Sequence, residues 1–304
     1  MSLRRRTRIV PLAVMIAAGI GIAGCQRRAA APHPVAAAHY VVGSAWQGDG
    51  GAWFYPKEQF DYHATGLAVV QGPHPSSLTA DGELFDPEAL AGAHQTLQLP
   101  AILSVTDLET GRSIQIRLND RGPAAQGRLL AVTPAAARLL GMHPGTPTRV
   151  AISLDSGPSR QLASQVPGSN QLPMTAAPVE AVQEQSLGPP GSPASALPQT
   201  TIGAASPAGP QAGDSAPVPD RLPPRVTQGI ADPGMLWIDG GQFNQRSYAD
   251  QVAAEINGAV SSDGQGREVV YSVREGPFQR TPDADAALDQ ARRAGVTGAR
   301  IIVE

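Results

Sequence analysis

The chain has 304 residues and a formal net charge of −3, with 16% charged and 4% aromatic residues. Glycine (33) and proline (29) make up about a fifth of it, against roughly 12% in an average protein, and charged residues fall short of the usual ~25%. This balance argues against one large single-core enzyme and against a general nucleic-acid binder, which would be basic. One cysteine excludes an intrachain disulfide and a thiolate zinc cluster.

Arg4, Arg5, Arg6 and Arg8 precede an apolar run from Ile9 to Ala23. The run is shorter than the roughly 20 residues of a permanent membrane helix. A basic flank and a short apolar core predict a secretory signal over residues 1–24. Its end, Ile22-Ala23-Gly24-Cys25, resembles the bacterial lipobox. The resemblance implies that Cys25 is lipidated and becomes the first residue after cleavage. Several acyl chains hold a protein stably where one alone would be marginal. Gln26, where an aspartate would signal inner-membrane retention, implies an outer-membrane anchor facing the periplasm.

Residues 25–64 read as a tether and an aromatic lead-in. The tether is Ala/Pro-rich; the lead-in gathers Tyr40, Trp46, Trp53, Phe54, Tyr55 and Phe60. Such a cluster is core or a sugar-stacking platform. Residues 65–154 have a globular composition. A short helix is expected from Pro87 to Ala93 and strands over Ala101–Asp107, Ser113–Leu118, Arg128–Val132 and Thr148–Leu154. Thr133 caps a second helix over Ala135–Leu140, with Pro134 in its first turn and Gly141 at its end. Many short strands with brief helices favour a small, mainly β barrel.

Residues 155–233 turn to Pro, Ala, Gly, Ser and Gln. They predict a disordered linker, and a flexible chain of that length would hold its ends roughly 50 Å apart. Residues 234–304 return to order. Strands are expected at Leu236–Ile238, Val269–Arg274 and Ala299–Val303, with a weak one between Val260 and Arg267. A helix from Ser247 to Ile256 would align Tyr248, Val252 and Ile256. A second would start at Thr281 with Ala284, Leu288 and Ala291 inward and stop at Gly295. This order suggests a small α+β sandwich.

No Gly-Lys phosphate loop, His-Glu-x-x-His helix or Gly-x-Ser-x-Gly elbow occurs, and no metal-ligand cluster is visible, so no cofactor is expected. Carboxylate acid–base chemistry remains. Asp120 follows the period-2 strand, with the Gly122-Pro123 turn fixing its backbone. Each residue also has a bland reading: an Asx turn or an Arg121 pair for Asp120, a solvated turn for Glu83, a satisfied structural histidine for His94.

The order Thr79-Ala80-Asp81-Gly82-Glu83-Leu84-Phe85-Asp86, Ala93-His94-Gln95-Thr96-Leu97, Asn119-Asp120-Arg121-Gly122-Pro123 and Leu140-Gly141-Met142 resembles the rare lipoprotein A family. That resemblance implies a double-psi β-barrel and a peptidoglycan lytic transglycosylase, which cuts the MurNAc–GlcNAc bond to a 1,6-anhydro end. Such a reaction needs a carboxyl that donates and takes back a proton, and the resemblance makes Asp120 the leading proton shuttle; by motif position Glu83 is the second catalytic carboxylate, and His94 orients a carboxyl or bonds substrate. Arg121 and Asn119 stand beside the shuttle as substrate ligands or clamps. Leu236-Trp237-Ile238, Gly241-Gln242-Phe243 and Val273-Arg274-Glu275-Gly276-Pro277-Phe278 resemble a ferredoxin-like SPOR domain, which binds peptide-stripped glycan at the division septum. Trp237, Gln242 and Phe243 are its expected glycan contacts, unless the two aromatics are core. Peptidoglycan, the membrane through the lipid, and divisome proteins are the implied partners. The family's early Ser-Trp-Tyr-Gly is absent, since Gly66-Leu67-Ala68-Val69-Val70-Gln71-Gly72 stands there. This departure keeps a second reading open: a non-catalytic wall-binding protein like the expansins, which share the barrel.

Overall fold

The computed structural model describes residues 36–73, 76–169, 218–219, 221–264 and 269–304. The expected signal, Cys25 and most of the linker lie outside the described residues.

The aromatic lead-in opens with a hairpin of β1 (Trp46–Gln47) and β2 (Trp53–Phe54). Trp46 packs on Phe54 with ring centroids 4.8 Å apart, and its indole N–H donates to the Gln95 carbonyl at 3.0 Å. The hairpin is thereby pinned to the next domain.

Six strands follow: β3 (His63–Val70), β4 (Ala91–His94), β5 (Ala101–Asp107), β6 (Arg112–Arg121), β7 (Leu130–Val132) and β8 (Thr148–Leu154). They run in the order β4-β7-β3-β8-β5-β6, and a β4–β6 pairing closes the ring. β3 with β7 and β4 with β6 are parallel; the other neighbours are antiparallel. Closure removes every free edge within the ring. Alternation aims Leu103, Val105, Ile114, Ile116, Val150 and Ile152 into one core. The β5–β6 turn forms because Asp107 Oδ1 accepts from the Glu109 and Thr110 N–H groups at 2.7 and 3.2 Å. Gly111 completes it at φ 76°.

Helix α1 (Pro134–Leu140) starts as expected, with the Thr133 side chain accepting from the Ala136 N–H and Gly141 at φ 89°. The helix expected over Pro87–Ala93 does not form. Residues 91–94 are β4, which sits between β7 and β6 with all four residues buried. Ladder bonds on both sides outweigh local helix propensity there.

The linker expectation fails at both ends. Helix α2 (Ser156–Gln165) buries Ser159, Leu162 and Ala163, and the Ser159 hydroxyl accepts from the Ile102 N–H at 2.9 Å. Strand β9 (Val226–Gln228) pairs with the start of β6. Tertiary partners order segments whose composition alone would not.

The C-terminal domain comprises β10 (Leu236–Phe243), α3 (Arg246–Glu255), β11 (Ala259–Asp263), β12 (Val270–Phe278), α4 (Thr281–Arg293) and β13 (Arg300–Val303). Its antiparallel sheet has the order β11-β12-β10-β13, a ferredoxin-like βαββαβ arrangement. The buried stripe of α3 is Ala249 and Ala253, continued by Ile256. Tyr248, expected on one face with Val252 and Ile256, is exposed; small alanines let the helix approach the sheet closely. The stripe of α4 is Ala284, Ala287, Leu288 and Ala291.

The two domains do not stand apart. Leu67 of β3 is fully buried in the C-terminal core cluster. The Thr65 hydroxyl donates to the Val303 carbonyl at 2.7 Å. Arg149 donates to the Gln279 carbonyl at 2.6 Å. The expected separation of roughly 50 Å for a free linker is replaced by direct docking.

Candidate active site

Residues 78–84 form a tight loop closed by a Leu78–Leu84 bridge. Gly82, at φ 90°, turns it; a Cβ there would lie 2.6 Å from the Ala37 carbonyl oxygen. Ala37 and His39 donate backbone N–H bonds to the Gly82 and Asp81 carbonyls at 3.1 and 2.9 Å. The described end of the expected tether, residues 37–39, thus straps this loop, and Asp81 beneath it is fully buried.

The loop is stitched to the end of β6. Ala80 N–H donates to Asp120 Oδ1 at 2.9 Å, and Asp81 N–H donates to the Asn119 carbonyl at 3.2 Å. Asp120 Oδ1 also accepts from the Arg121 N–H at 2.9 Å, and Oδ2 from the Gln71 amide at 3.3 Å. The β4–β6 register shifts between Gly92 and Ala93, pairing Gly92 with Leu118 but Ala93 with Asp120. This bulge bends β6 where its functional side chains emerge.

Glu83 is held on both oxygens. Arg117 forms an ion pair with Oε1, and the Asn119 amide donates to Oε2 at 2.8 Å. Asp81 Oδ1 accepts from the Thr79 hydroxyl at 2.7 Å and the Glu83 N–H at 3.2 Å. Its Oδ2 is buried without a partner among the described residues. Burial, then the Glu83 charge, pushes the Asp81 carboxyl up to about 7. Three carboxyl groups therefore share one network, and Asp81 carries a proton part of the time at neutral pH.

His94 stands apart from this network. Its Nδ1 accepts from the Thr96 and Leu97 N–H groups, both at 3.2 Å, so the proton of the neutral ring sits on Nε2. Nε2 has no partner among the described residues. Burial, reinforced by the Arg121 charge, pulls the imidazole down to about 3. Tyr62 packs edge-on against the ring at 5.3 Å. Neither nitrogen bonds to Asp120 or Glu83, so His94 does not orient a carboxyl.

The remaining expected residues separate. Asn119 touches Glu83. Arg121 is a clamp, donating to the Leu97 and Val42 carbonyls, and its burial lowers the guanidinium to about 10. In the C-terminal domain Phe243 packs against the core. Trp237 is half-buried, with Gly276 close against its ring. Gln242 lines a cavity of about 720 Å³ between the two domains, as does His94. No carboxylate of the network lines that cavity.

Sequence reasoning missed Asp81, Gln71 and Arg117. Asp81 lay within the Thr79–Asp86 string but was outshone by Glu83. Nothing local marked Arg117, because its ion pair spans 34 residues.

A closed six-stranded barrel with two parallel pairs, carrying carboxyl groups at a bulged strand mouth, is a double-psi-like β-barrel. Residues 51–152 match the family described as lytic transglycolase. The endolytic peptidoglycan transglycosylase RlpA of Escherichia coli K12 is 38% identical over 106 residues, 34% of this chain and 29% of that protein. The one of Pseudomonas aeruginosa is 27% identical over 255 residues, 81% of this chain and 72% of that protein. The crystal structure of the RlpA SPOR domain from Pseudomonas aeruginosa aligns with a TM-score of 0.21 and 19% identity, over 23% of this chain and 99% of that one. The family match covers about a third of the chain. The E. coli match spans less than a third of that relative's length.

Proposed function

We propose that the barrel cleaves peptidoglycan glycan strands between MurNAc and GlcNAc without water, leaving a 1,6-anhydro end. The observation that carries this is the fixed Asp120 carboxyl at the bulged mouth of β6, joined through Ala80 to Asp81 and Glu83. Asp120 donates a proton to the glycosidic oxygen as the C1–O bond breaks. The 6-hydroxyl of the same MurNAc closes on C1, and its proton returns to Asp120. Atoms balance with no water and no spent residue. Glu83, held between Arg117 and Asn119, stabilises the positive charge that develops at C1. A proton on Asp81 relieves repulsion among the three carboxyls. Through the lipidated Cys25 the protein acts from the outer membrane, and its C-terminal domain directs it to septal glycan.

Lipid-free chain from Gln26 onward, incubated with peptide-free glycan, tests this by mass spectrometry beside Asp120→Asn. Anhydro-ended fragments from the wild type alone support it. Ends about 18 Da heavier mean hydrolysis by a water-activating pair and overturn it. No fragments, with binding retained, establish the expansin-like reading. One observation favours that reading: β3 carries Leu67 in the stretch where the family has aromatics, and Leu67 is spent on domain docking.

A further inference from the structure

The closed ring of strands places β3 opposite β6, because two strands stand between them in either direction around the barrel. Gln71 is the residue that follows β3. Its N–H donates to the Val132 carbonyl at 2.7 Å, which prolongs the parallel β3–β7 ladder and fixes the backbone at the barrel mouth. From there its side-chain amide donates to Asp120 Oδ2 at 3.3 Å. The bond therefore crosses the mouth from one wall of the barrel to the other. Gln71 stands directly before Gly72, in the stretch that replaces the family's Ser-Trp-Tyr-Gly. An amide donor thus occupies the place of an aromatic residue.

The two oxygens of Asp120 have different duties. Oδ1 accepts from the Ala80 and Arg121 N–H groups, both at 2.9 Å. A carboxyl oxygen has two lone pairs, and two backbone donors occupy both. The proton that Asp120 transfers therefore travels on Oδ2, the oxygen that Gln71 holds. An amide N–H bond to that oxygen orients the carboxyl plane and strengthens as negative charge builds there. At 3.3 Å it is longer than the usual ~2.9–3.0 Å, so it has room to tighten as the proton leaves. Around Asp120 stand Arg121 and Arg117 on β6, Asp81 and Glu83 on the 78–84 loop, and on β4 His94, which burial keeps neutral down to about pH 3. Gln71 adds a donor to this circle without adding a charge.

We propose that Gln71 is a positioning residue for glycan cleavage: its amide holds Asp120 Oδ2 toward the glycosidic oxygen and stabilises the carboxylate formed when the proton leaves. The inference rests on the transglycosylase reading above. In the first half of the reaction the Oδ2 proton passes to the leaving oxygen as its bond to C1 breaks, and the Gln71 N–H tightens on the new anion. In the second half the 6-hydroxyl oxygen bonds to C1, its proton returns to Oδ2, and the amide bond relaxes. Gln71 itself exchanges no proton.

Two readouts on the lipid-free chain keep this proposal apart from the reading it rests on. The first needs no cleavage. With nitrogen-labelled glutamine, the side-chain amide resonances are followed as pH is varied. One pair should move with pH, vanish in Gln71→Leu and stop moving in Asp120→Asn. The second readout is fragment release from peptide-free glycan. Gln71→Leu should lower kcat about tenfold, with KM changed by less than about twofold, and should displace the pH profile toward higher pH. Gln71→Glu has nearly the same shape but exchanges the donor for a like charge, so it should displace the profile further in the same direction. A mere brace across the barrel mouth would lower the melting temperature and leave the pH profile in place. That result, or an amide signal indifferent to pH beside intact cleavage, overturns the proposal. Absence of cleavage by the wild type, with the amide signal still following pH, marks failure of the transglycosylase reading and takes the positioning role with it.

Discussion

Arg128 of the barrel and Asp285 of α4 meet fork to fork: Nη1 lies 2.7 Å from Oδ1 and Nη2 2.8 Å from Oδ2. The pair joins residues 157 apart in sequence, at the point where Gly127 runs against Leu288 and Ile301. With Leu67 buried alongside, it makes the barrel and the C-terminal domain one mechanical body.

The first prediction tests that body. The side chains of Arg128 and Asp285 are 14% and 36% exposed, so screening takes part of the pair's strength. A double-mutant cycle with Arg128→Ala and Asp285→Ala should give a coupling of about 1 kcal/mol. Leu67→Asp should do more, because it forces a charge into an apolar cluster. Calorimetry should then show two transitions where the wild type shows one. A single unchanged transition would mean that docking adds nothing to stability.

A second prediction concerns barrel closure. Gly92 lies on β4, where a Cβ would sit 2.7 Å from the Ala131 carbonyl oxygen and 2.9 Å from Ile116 Cδ1. The carbonyl belongs to a paired strand and cannot retreat. Gly92→Ala should destabilise the protein by about 2–3 kcal/mol and, by shifting the bulge that sets Asp120, lower cleavage as well. Chemical denaturation reads the first effect, and fragment release from glycan the second. A loss below about 0.5 kcal/mol, the scale of a surface substitution, would show that β4 has slack.

Much of this architecture was legible because it rests on local rules. Short runs of strand-forming residues marked β5 and β8 to the residue, and Thr133, Pro134 and Gly141 marked α1. β4 was misread because Pro87 and the alanines suit a helix, while the ladders on both its sides come from β6 and β7, remote in sequence. α2 was invisible because its anchor, Ser159 on the Ile102 backbone, is a tertiary bond. The same holds for the site. The motif strings pointed to Glu83, His94 and Asp120, but His94 faces a cavity that Asp120 does not line. The separating fact is which nitrogen the Thr96 and Leu97 amides occupy, and no spacing rule carries that.

The third prediction addresses Glu83. Arg117 is nearly buried, with its side chain 5% exposed, so removing its partner leaves an uncompensated charge. Glu83→Gln should destabilise by about 1–3 kcal/mol and lower turnover at least about 100-fold. The double variant Glu83→Gln/Arg117→Met should regain stability without regaining turnover. Recovery of turnover in the double variant would reduce Glu83 to a partner for Arg117.

The last prediction follows from two buried groups with opposite pH signatures. Asp81 titrates near 7 in the fold against an ordinary value of 3.8. The folded state therefore binds more protons than the unfolded state between those values, and stability falls as pH rises from about 4 to about 7. His94 is pulled down to about 3 from 6.5. Here the unfolded state binds more protons, so stability is full above about 6.5 and is lost as pH falls toward about 3. The two slopes oppose each other across much the same window, so the wild type should show a flat melting temperature from about pH 4 to 6.5. Asp81→Asn removes the first slope. It should leave stability climbing with pH through that window and raise it at pH 8 by roughly 2 kcal/mol, the desolvation penalty less the cost of an unmatched amide N–H. His94→Gln removes the second slope, and stability should then decline from pH 4 to pH 7. Thermal melts at half-unit pH steps read both. If Asp81→Asn leaves the profile flat, Asp81 is not the group that holds the proton, and the relief it offers Glu83 and Asp120 disappears with it.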